Sequence, residues 1–186
     1  MLYSIPPQKN NRMKADPVGA QILAERPAVT SESLDVDKLR TMPDGSFGRE
    51  YQRHMDDLKI TADTRKPVRF VDDEELAFVA QRYRETHDFV HCLVALGISE
   101  EEEMVLKWFE AEQTGLPMCY LGGTVGPLRL PADKRSQVYQ TYIPWARRAG
   151  RSAAFLMNTY FEKRFDDSLE ELRAELSIEL PPPGIN

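Results

Sequence analysis

Long apolar runs, an excess of basic charge and paired cysteines are all missing from this 186-residue chain, and each absence removes a class of protein. A membrane-spanning helix needs roughly 18 consecutive apolar residues. The uncharged stretch Leu116 to Leu128 contains three glycines and two prolines, so no segment is expected to cross a bilayer. Lysine and arginine total 24 against 30 aspartates and glutamates, a formal net charge of −6. Nucleic acid is therefore not expected as a partner, because phosphate binding is driven by basic charge gathered on one face. The two cysteines, Cys92 and Cys119, stand far from any C-x-x-C spacing, which fits buried thiols in a reducing compartment. Alternating β-branched runs closed by Asn-Gly or Asp-Gly turns are absent, so strands are not expected. Met1 to Met13 shows neither the apolar core of a secretory signal nor the repeated arginines of a mitochondrial presequence.

What is present is ordinary for a globular domain: 41% hydrophobic and 29% charged residues, on a chain long enough to bury one sizeable core. Helical punctuation recurs along it, and the expected fold is all-α, a single-domain helical bundle with a long central helix. Asp16 and Pro17 open a short helix that ends before Pro27. Further helices are expected over 34–40 and 47–58, separated by the Met42-Pro43-Asp44-Gly45 turn. Asp72 with Glu75 reads as the cap of a long helix ending at Gly97, and Ser99 with Glu102 as a capping box for the next, which runs to about Gln113. Beyond a glycine-rich loop, Gly122 to Pro131, helices are expected over 133–142, 144–149, 153–164 and 168–176.

On the long helix Leu76, Val79, Ala80, Tyr83, His87, Val90, His91 and Val94 recur at i, i+3, i+4 and i+7 and form one core-facing stripe. His87 and His91 stand one turn apart on it, where two neutral imidazoles can meet one cation. The spacing is that of H-E-x-x-H, but Asp88 replaces the glutamate that acts as base, which argues against peptide hydrolysis. Two readings stay open: core histidines satisfied by carbonyls or by Asp88, or a metal site with Asp88 as an adjacent carboxylate. Burying two unpaired imidazoles costs about 1–3 kcal/mol each, so a partner is required in either case. Any of Glu100, Glu101, Glu102 and Glu103 can reach back from the next helix, and the helical wheel does not favour Glu103. Met104, Val105, Trp108 and Phe109 form the apolar face, with Glu103 largely on the other side.

His87-Asp88-x-x-His91 followed by eleven residues and Glu103 resembles the signature of the mitochondrial ubiquinone (coenzyme Q) biosynthesis protein 4 family. The resemblance extends over nearly the whole chain. It includes Asp16-Pro17-Val18-Gly19, Phe47-Gly48-Arg49-Glu50-Tyr51, Arg69-Phe70-Val71-Asp72, Lys107-Trp108-Phe109-Glu110, Gln113-Thr114-Gly115-Leu116-Pro117, Gly126-Pro127-Leu128-Arg129 and Ile143-Pro144-Trp145-Ala146. It implies a domain over 14–180, with an unmatched tail at 1–13 and a proline-rich tail at 181–186; Glu102 stands where relatives usually carry glycine. The resemblance is what selects Glu103 and completes a metal set of His87, Asp88, His91 and Glu103 on a helical hairpin. The expected ion is Zn2+, with another divalent cation as the alternative.

The family resemblance further implies a peripheral protein on the matrix side of the mitochondrial inner membrane, with other subunits of the ubiquinone biosynthetic complex as partners and a homo-oligomer as a further expectation. The implied reaction is metal-dependent removal of the C1 carboxylate from a prenylated 4-hydroxybenzoate, an aromatic lipid, with hydroxylation of that carbon in an oxidative version. The alternative is a non-catalytic, lipid-binding scaffold that organises the biosynthetic enzymes. Leu76, Val79, Tyr83, Val90, Val94, Trp108 and Phe109 are candidates to line a lipid slot or simply to pack the core. Arg147, Arg148, Arg151, Lys163 and Arg164 are candidates for anionic lipid heads or the substrate carboxylate, or simply a solvated face.

Overall fold

The computed structural model describes residues 7–64, 67–69 and 71–185. Among the described residues the chain is helical, with no strand beyond one antiparallel bridge between Ser46 and Ser168. The all-α expectation therefore holds. Helix α1, Pro7–Ala15, begins inside the stretch expected as a tail and runs past its end at residue 13, and its Met13 is fully buried. Residues 1–6 of that stretch, and Phe70 of the Arg69–Asp72 block, lie outside the described residues.

Side chains that satisfy orphan amides set most helix starts. Asp16 caps α2, Pro17–Glu25, and Ser46 caps α4, Phe47–Leu58, where both were expected. Asp35 accepts the Lys38 N–H, which delays α3, Val36–Thr41, by two residues. The long helix α5, Glu74–Val94, is capped by Asp73 rather than Asp72. Glu75 faces α1 instead, bonding Asn10 and Lys14 at 2.7 Å each. Its C-terminus falls at Ala95 (φ 53°), two residues before Gly97, because the amides of Ala95 and Leu96 close onto the Cys92 and His91 carbonyls.

Helix α6, Glu100–Thr114, has the expected capping box. The expected loop Gly122 to Pro131 is overturned: α7 spans Pro117–Val125 and a 3-10 turn follows over Gly126–Arg129. The glycines there permit contact and do not break the helix. A Cβ on Gly123 would stand 2.7 Å from the Trp108 ring, and one on Gly126 would stand 2.8 Å from Met104. Helices α8, Ala132–Gln137, and α9, Ile143–Ser152, are joined by a π-helical turn, Val138–Tyr142, into one rod. The expected helix over 153–164 does not form; two short 3-10 turns take its place. Its backbone is claimed by tertiary partners: the Leu156 N–H goes to the Gln113 side chain and the Ala154 N–H to the Leu176 carbonyl. Ser168 caps α10, Leu169–Glu175, as expected.

Helices α5 and α6 form a buried antiparallel pair at the centre. Phe89 of α5 meets Tyr51 and Phe47 of α4 at ring distances of 4.5 and 5.6 Å, and Phe161 at 5.2 Å, which fixes the helix that carries the histidines. Val79, Tyr83, Val90, Val94 and Phe109 are buried in this packing and build the core, and Tyr83, Val90 and Phe109 also line a small cavity of about 20 Å³ with Glu110 and Leu156. Exposed apolar side chains gather elsewhere, at Tyr120, Leu121, Val125 and Leu128 on α7 and the turn after it, and at Tyr139. The basic run is internally paired: Arg147 and Arg151 bind Glu112, Arg148 binds Glu179, Lys163 binds Glu25, and Arg164 binds Asp167 and Glu175. No helix among the described residues is long and apolar enough to cross a membrane.

Candidate metal centre

Each member of the site is placed by a local device. The histidines follow from α5's 3.6-residue period, which puts His87 and His91 on one face, and both are buried. The tight corner between α5 and α6 depends on Glu102, whose carboxylate accepts the Gly97 N–H at 2.6 Å and the Ser99 N–H at 3.1 Å. That use removes Glu102 from contention as a ligand. Glu101 is tied to Lys134, and Glu100 is exposed at the helix start. Glu103 is the one that reaches across: its Oε1 lies 3.2 Å from His91 Nε2 and its Oε2 3.7 Å from His87 Nε2.

The tautomers follow from the partners at the opposite ring nitrogens. His91 Nδ1 faces the Leu96 carbonyl at 3.1 Å, and His87 Nδ1 faces Glu110 Oε1 at 2.5 Å. Both partners only accept, so each Nδ1 donates its hydrogen, and it is the Nε2 of each ring, with its lone pair when the ring is neutral, that turns inward. The two Nε2 atoms stand 3.1 Å apart, beside the Glu103 carboxylate. Two lone pairs and an anion at that separation repel unless a cation, a proton or a metal ion, stands among them. Donors bound tetrahedrally at 2.0–2.1 Å sit about 3.3 Å from one another, and the observed separations of 3.1–3.7 Å bracket that edge. The donor set therefore fits a divalent metal of zinc's size.

Charge at the site is balanced in pairs. Burial pushes the Glu103 carboxyl up, but hydrogen bonds and charge from His87 and His91 outweigh it and hold the group well below the usual range. The same contest, won by the His87 and Lys107 charges, keeps buried Glu110 ionised. His87 loses basicity to burial and regains more from Glu110 and Glu103, so its pKa lies above the ordinary value.

His87, His91 and Glu103 are thus brought together, their donor atoms all within 4.8 Å of one another. Asp88 is buried next to His87 in the chain but is not part of that converging group. Sequence reasoning missed two residues. Glu110 was detectable as the i+7 partner of Glu103 on α6. His54 of α4 stacks on His91 with rings 5.7 Å apart, and its Nε2 is buried with no hydrogen-bond partner among the described residues; it carried no motif to flag it. Burial and the neighbouring His91 both lower its pKa.

The sequence model of the family described as coenzyme Q (ubiquinone) biosynthesis protein Coq4 matches residues 5–182. The chain is 54% identical over 175 residues to the mitochondrial ubiquinone biosynthesis protein COQ4 homolog of Xenopus tropicalis, covering 94% of this chain and 62% of that protein. It is 51% identical over 172 residues to the human homolog, covering 92% and 65% respectively. It is also 45% identical over 168 residues to the mitochondrial COQ4 protein of Coprinopsis cinerea, covering 90% and 58%. The chain thus spans less than two thirds of the length of these curated relatives. Among solved structures, a putative ubiquinone biosynthesis protein from Nostoc punctiforme shares the fold, with a TM-score of 0.71 at 20% identity over 91% of this chain and 79% of that one.

Proposed function

The chain belongs to the Coq4 family of coenzyme Q (ubiquinone) biosynthesis proteins, and from that premise we propose that it acts in ubiquinone biosynthesis as a metal-dependent decarboxylase. The substrate is a prenylated 4-hydroxybenzoate such as 4-hydroxy-3-methoxy-5-polyprenylbenzoate, and the product is the methoxy-polyprenylphenol. Zn2+ is the proposed ion, held by His87, His91 and Glu103, with Asp88 recruited as the fourth donor. When bound, such an ion supplies a Lewis acid that orients an aromatic carboxylate and offsets negative charge on oxygen.

The observation that carries this reading is the uneven exposure of the donor set. His91 and His87 are buried, while the Glu103 side chain is 37% exposed. A site sealed on the histidine side and open at one carboxylate can exchange that ligand for a substrate group, which a closed structural site cannot. The two imidazoles hold fixed tautomers, so they neither give nor take a proton at Nε2 while serving as donors. In the reaction the bond from C1 to the carboxylate breaks, carbon dioxide leaves, and a proton takes its place on C1. No oxidant is needed for this balance. The version that also hydroxylates C1 is a two-electron oxidation and needs dioxygen or another electron acceptor, which zinc, having one accessible valence, does not replace.

The inner-membrane contact is proposed on the exposed apolar side chains of α7, Leu121 and Val125, with Leu128 beyond them, against which a long prenyl tail is best kept from water. A matrix-side position beside other subunits of the biosynthetic complex, and a homo-oligomeric state, are part of the same proposal. The test is carbon dioxide release from the prenylated substrate by purified zinc-loaded protein in lipid vesicles. Release that disappears in His87→Ala while the fold persists supports the enzyme. Intact metal binding without any release, coupled with loss of the complex on removing the metal, selects the scaffold.

A further inference from the structure

Two polar stripes face each other across the hairpin. On α5, Tyr83, His87 and His91 follow one another at intervals of four; on α6, running the other way, Glu110, Lys107 and Glu103 do so at three and four. One end of the paired stripes is the metal site. The other is a charged cluster that the metal site alone does not require. Glu110 is 2% exposed and accepts from three directions: His87 Nδ1 at 2.5 Å on Oε1, and Lys107 Nζ at 2.6 Å and the Tyr83 hydroxyl at 2.7 Å on Oε2.

A buried carboxylate survives as an anion only when its oxygens are fully engaged. Lys107 supplies the opposite charge and, with Tyr83, saturates Oε2, so Oε1 is left with one partner, the His87 ring. A neutral carbonyl is enough to hold a histidine tautomer, as Leu96 does for His91. A carboxylate does more: its charge on the Nδ1–H side makes the opposite nitrogen a better donor to a cation. The two histidines are therefore unequal, although their spacing in the sequence makes them look interchangeable.

We infer that Glu110, anchored by Lys107 and Tyr83, is the positioning residue of the metal centre, orienting His87 with its Nε2 inward and strengthening it as the dominant imidazole donor. The inference rests on the metal-site reading above. It adds a residue outside the donor set and a hierarchy within it.

The experiment titrates Co2+ and Zn2+ into the wild-type chain, Glu110→Gln, and the double variant Lys107→Met with Glu110→Gln, using a chromophoric chelator as competitor. The glutamine keeps the shape and an accepting oxygen but not the charge. The double variant removes both charges together, so no buried ion is left unpaired if Glu110→Gln alone folds poorly. Metal affinity is expected to fall by about 10–100-fold in either variant, as for other outer-shell partners of ligating histidines. The visible Co2+ spectrum should shift at the same time. In addition, long-range proton–nitrogen NMR of the zinc-loaded wild type should show His87 protonated at Nδ1 and coordinated through Nε2. Unchanged affinity and spectrum in a folded variant, or His87 coordinated through Nδ1, overturns the inference and leaves the metal site standing. A wild-type chain that binds neither ion overturns both.

Discussion

Glu102 and Glu103 are neighbours in the chain and face different tasks: Glu102 folds back to accept the Gly97 and Ser99 amides, while Glu103 crosses to within 3.2 Å of His91. Substituting each by alanine should separate stability from metal binding. Glu102→Ala removes half of a capping box and leaves the partly buried Gly97 amide unpaired, at a cost of about 1–2 kcal/mol. Its metal content should stay at one ion per chain. Glu103→Ala should unfold near the wild-type temperature when metal is withheld, and bind zinc far more weakly. Thermal denaturation beside elemental analysis of both variants checks this, and equal zinc loss in the two contradicts the assignment.

An ion held at this site should be felt by the whole fold, because His87 and His91 belong to α5 and Glu103 to α6, and both helices contribute to the main core. Any ligand bound to the native state alone stabilises it by RT ln(1 + [L]/Kd), about 2.7 kcal/mol at a hundred times Kd. For a chain of this size that is about 5–11 °C of unfolding temperature. Scanning calorimetry with added zinc, and again with excess EDTA, should show a shift of that order in the wild type and none in the His87→Ala, His91→Ala double variant. A shift that persists in the double variant places the ion elsewhere.

Cys92 and Cys119 are buried, and burial drives both thiols from the ordinary 9.0 up to about 12; the Glu110 charge adds to the effect at Cys119. Between those values the folded chain keeps protons that the unfolded chain has released, so stability is complete below about pH 9 and declines as pH rises towards 12. The same shift makes the thiols inert. At pH 8 iodoacetamide should leave both unmodified in the native protein and alkylate both in urea. Rapid labelling of the folded chain, read by mass spectrometry, would contradict the burial assigned to them.

Most helix limits were legible because they are set by residues within one turn: Asp16, Ser46, Ser99 and Ser168 each bond an amide two or three positions along. The histidine pair was legible for the same reason, since i and i+4 share a face whatever the helix packs against. What escaped is what tertiary partners decide. Gly123 reads as a helix breaker until Trp108 is seen to occupy the space of its missing Cβ. Residues 153–164 read as a helix until Gln113 and Leu176 are seen to take the amides a helix would use. Glu103 was unreachable by a helical wheel because the wheel describes α6 alone, and the reach depends on how tightly Glu102 draws α6 against the end of α5. His54 lay on a third helix with nothing in the sequence to couple it to His91.

Arg82 carries the strongest test of how that irregular segment is held. It is 1% exposed, pairs with Glu162 and donates to the Thr159 carbonyl at 3.3 Å, so it docks the 3-10 turns against α5 just ahead of His87. Arg82 is buried and Glu162 only partly, so removing the arginine strands a partly solvated carboxylate at a cost near the lower end of the about 3–5 kcal/mol for fully buried pairs, whereas replacing both by apolar residues of similar volume is often close to neutral. Arg82→Met should therefore lower the unfolding temperature by on the order of 10 °C. The Arg82→Met, Glu162→Met double variant should recover most of the loss. The recovery is expected to be incomplete, because the Thr159 carbonyl stays buried and unserved in both, and a lost hydrogen bond of that kind costs about 1–3 kcal/mol. Zinc content should remain unchanged throughout, since none of the three donors changes and the α5–α6 corner is untouched. A double variant as unstable as the single one would mean that Arg82 acts through its packing and its bond to Thr159, with Glu162 an incidental partner.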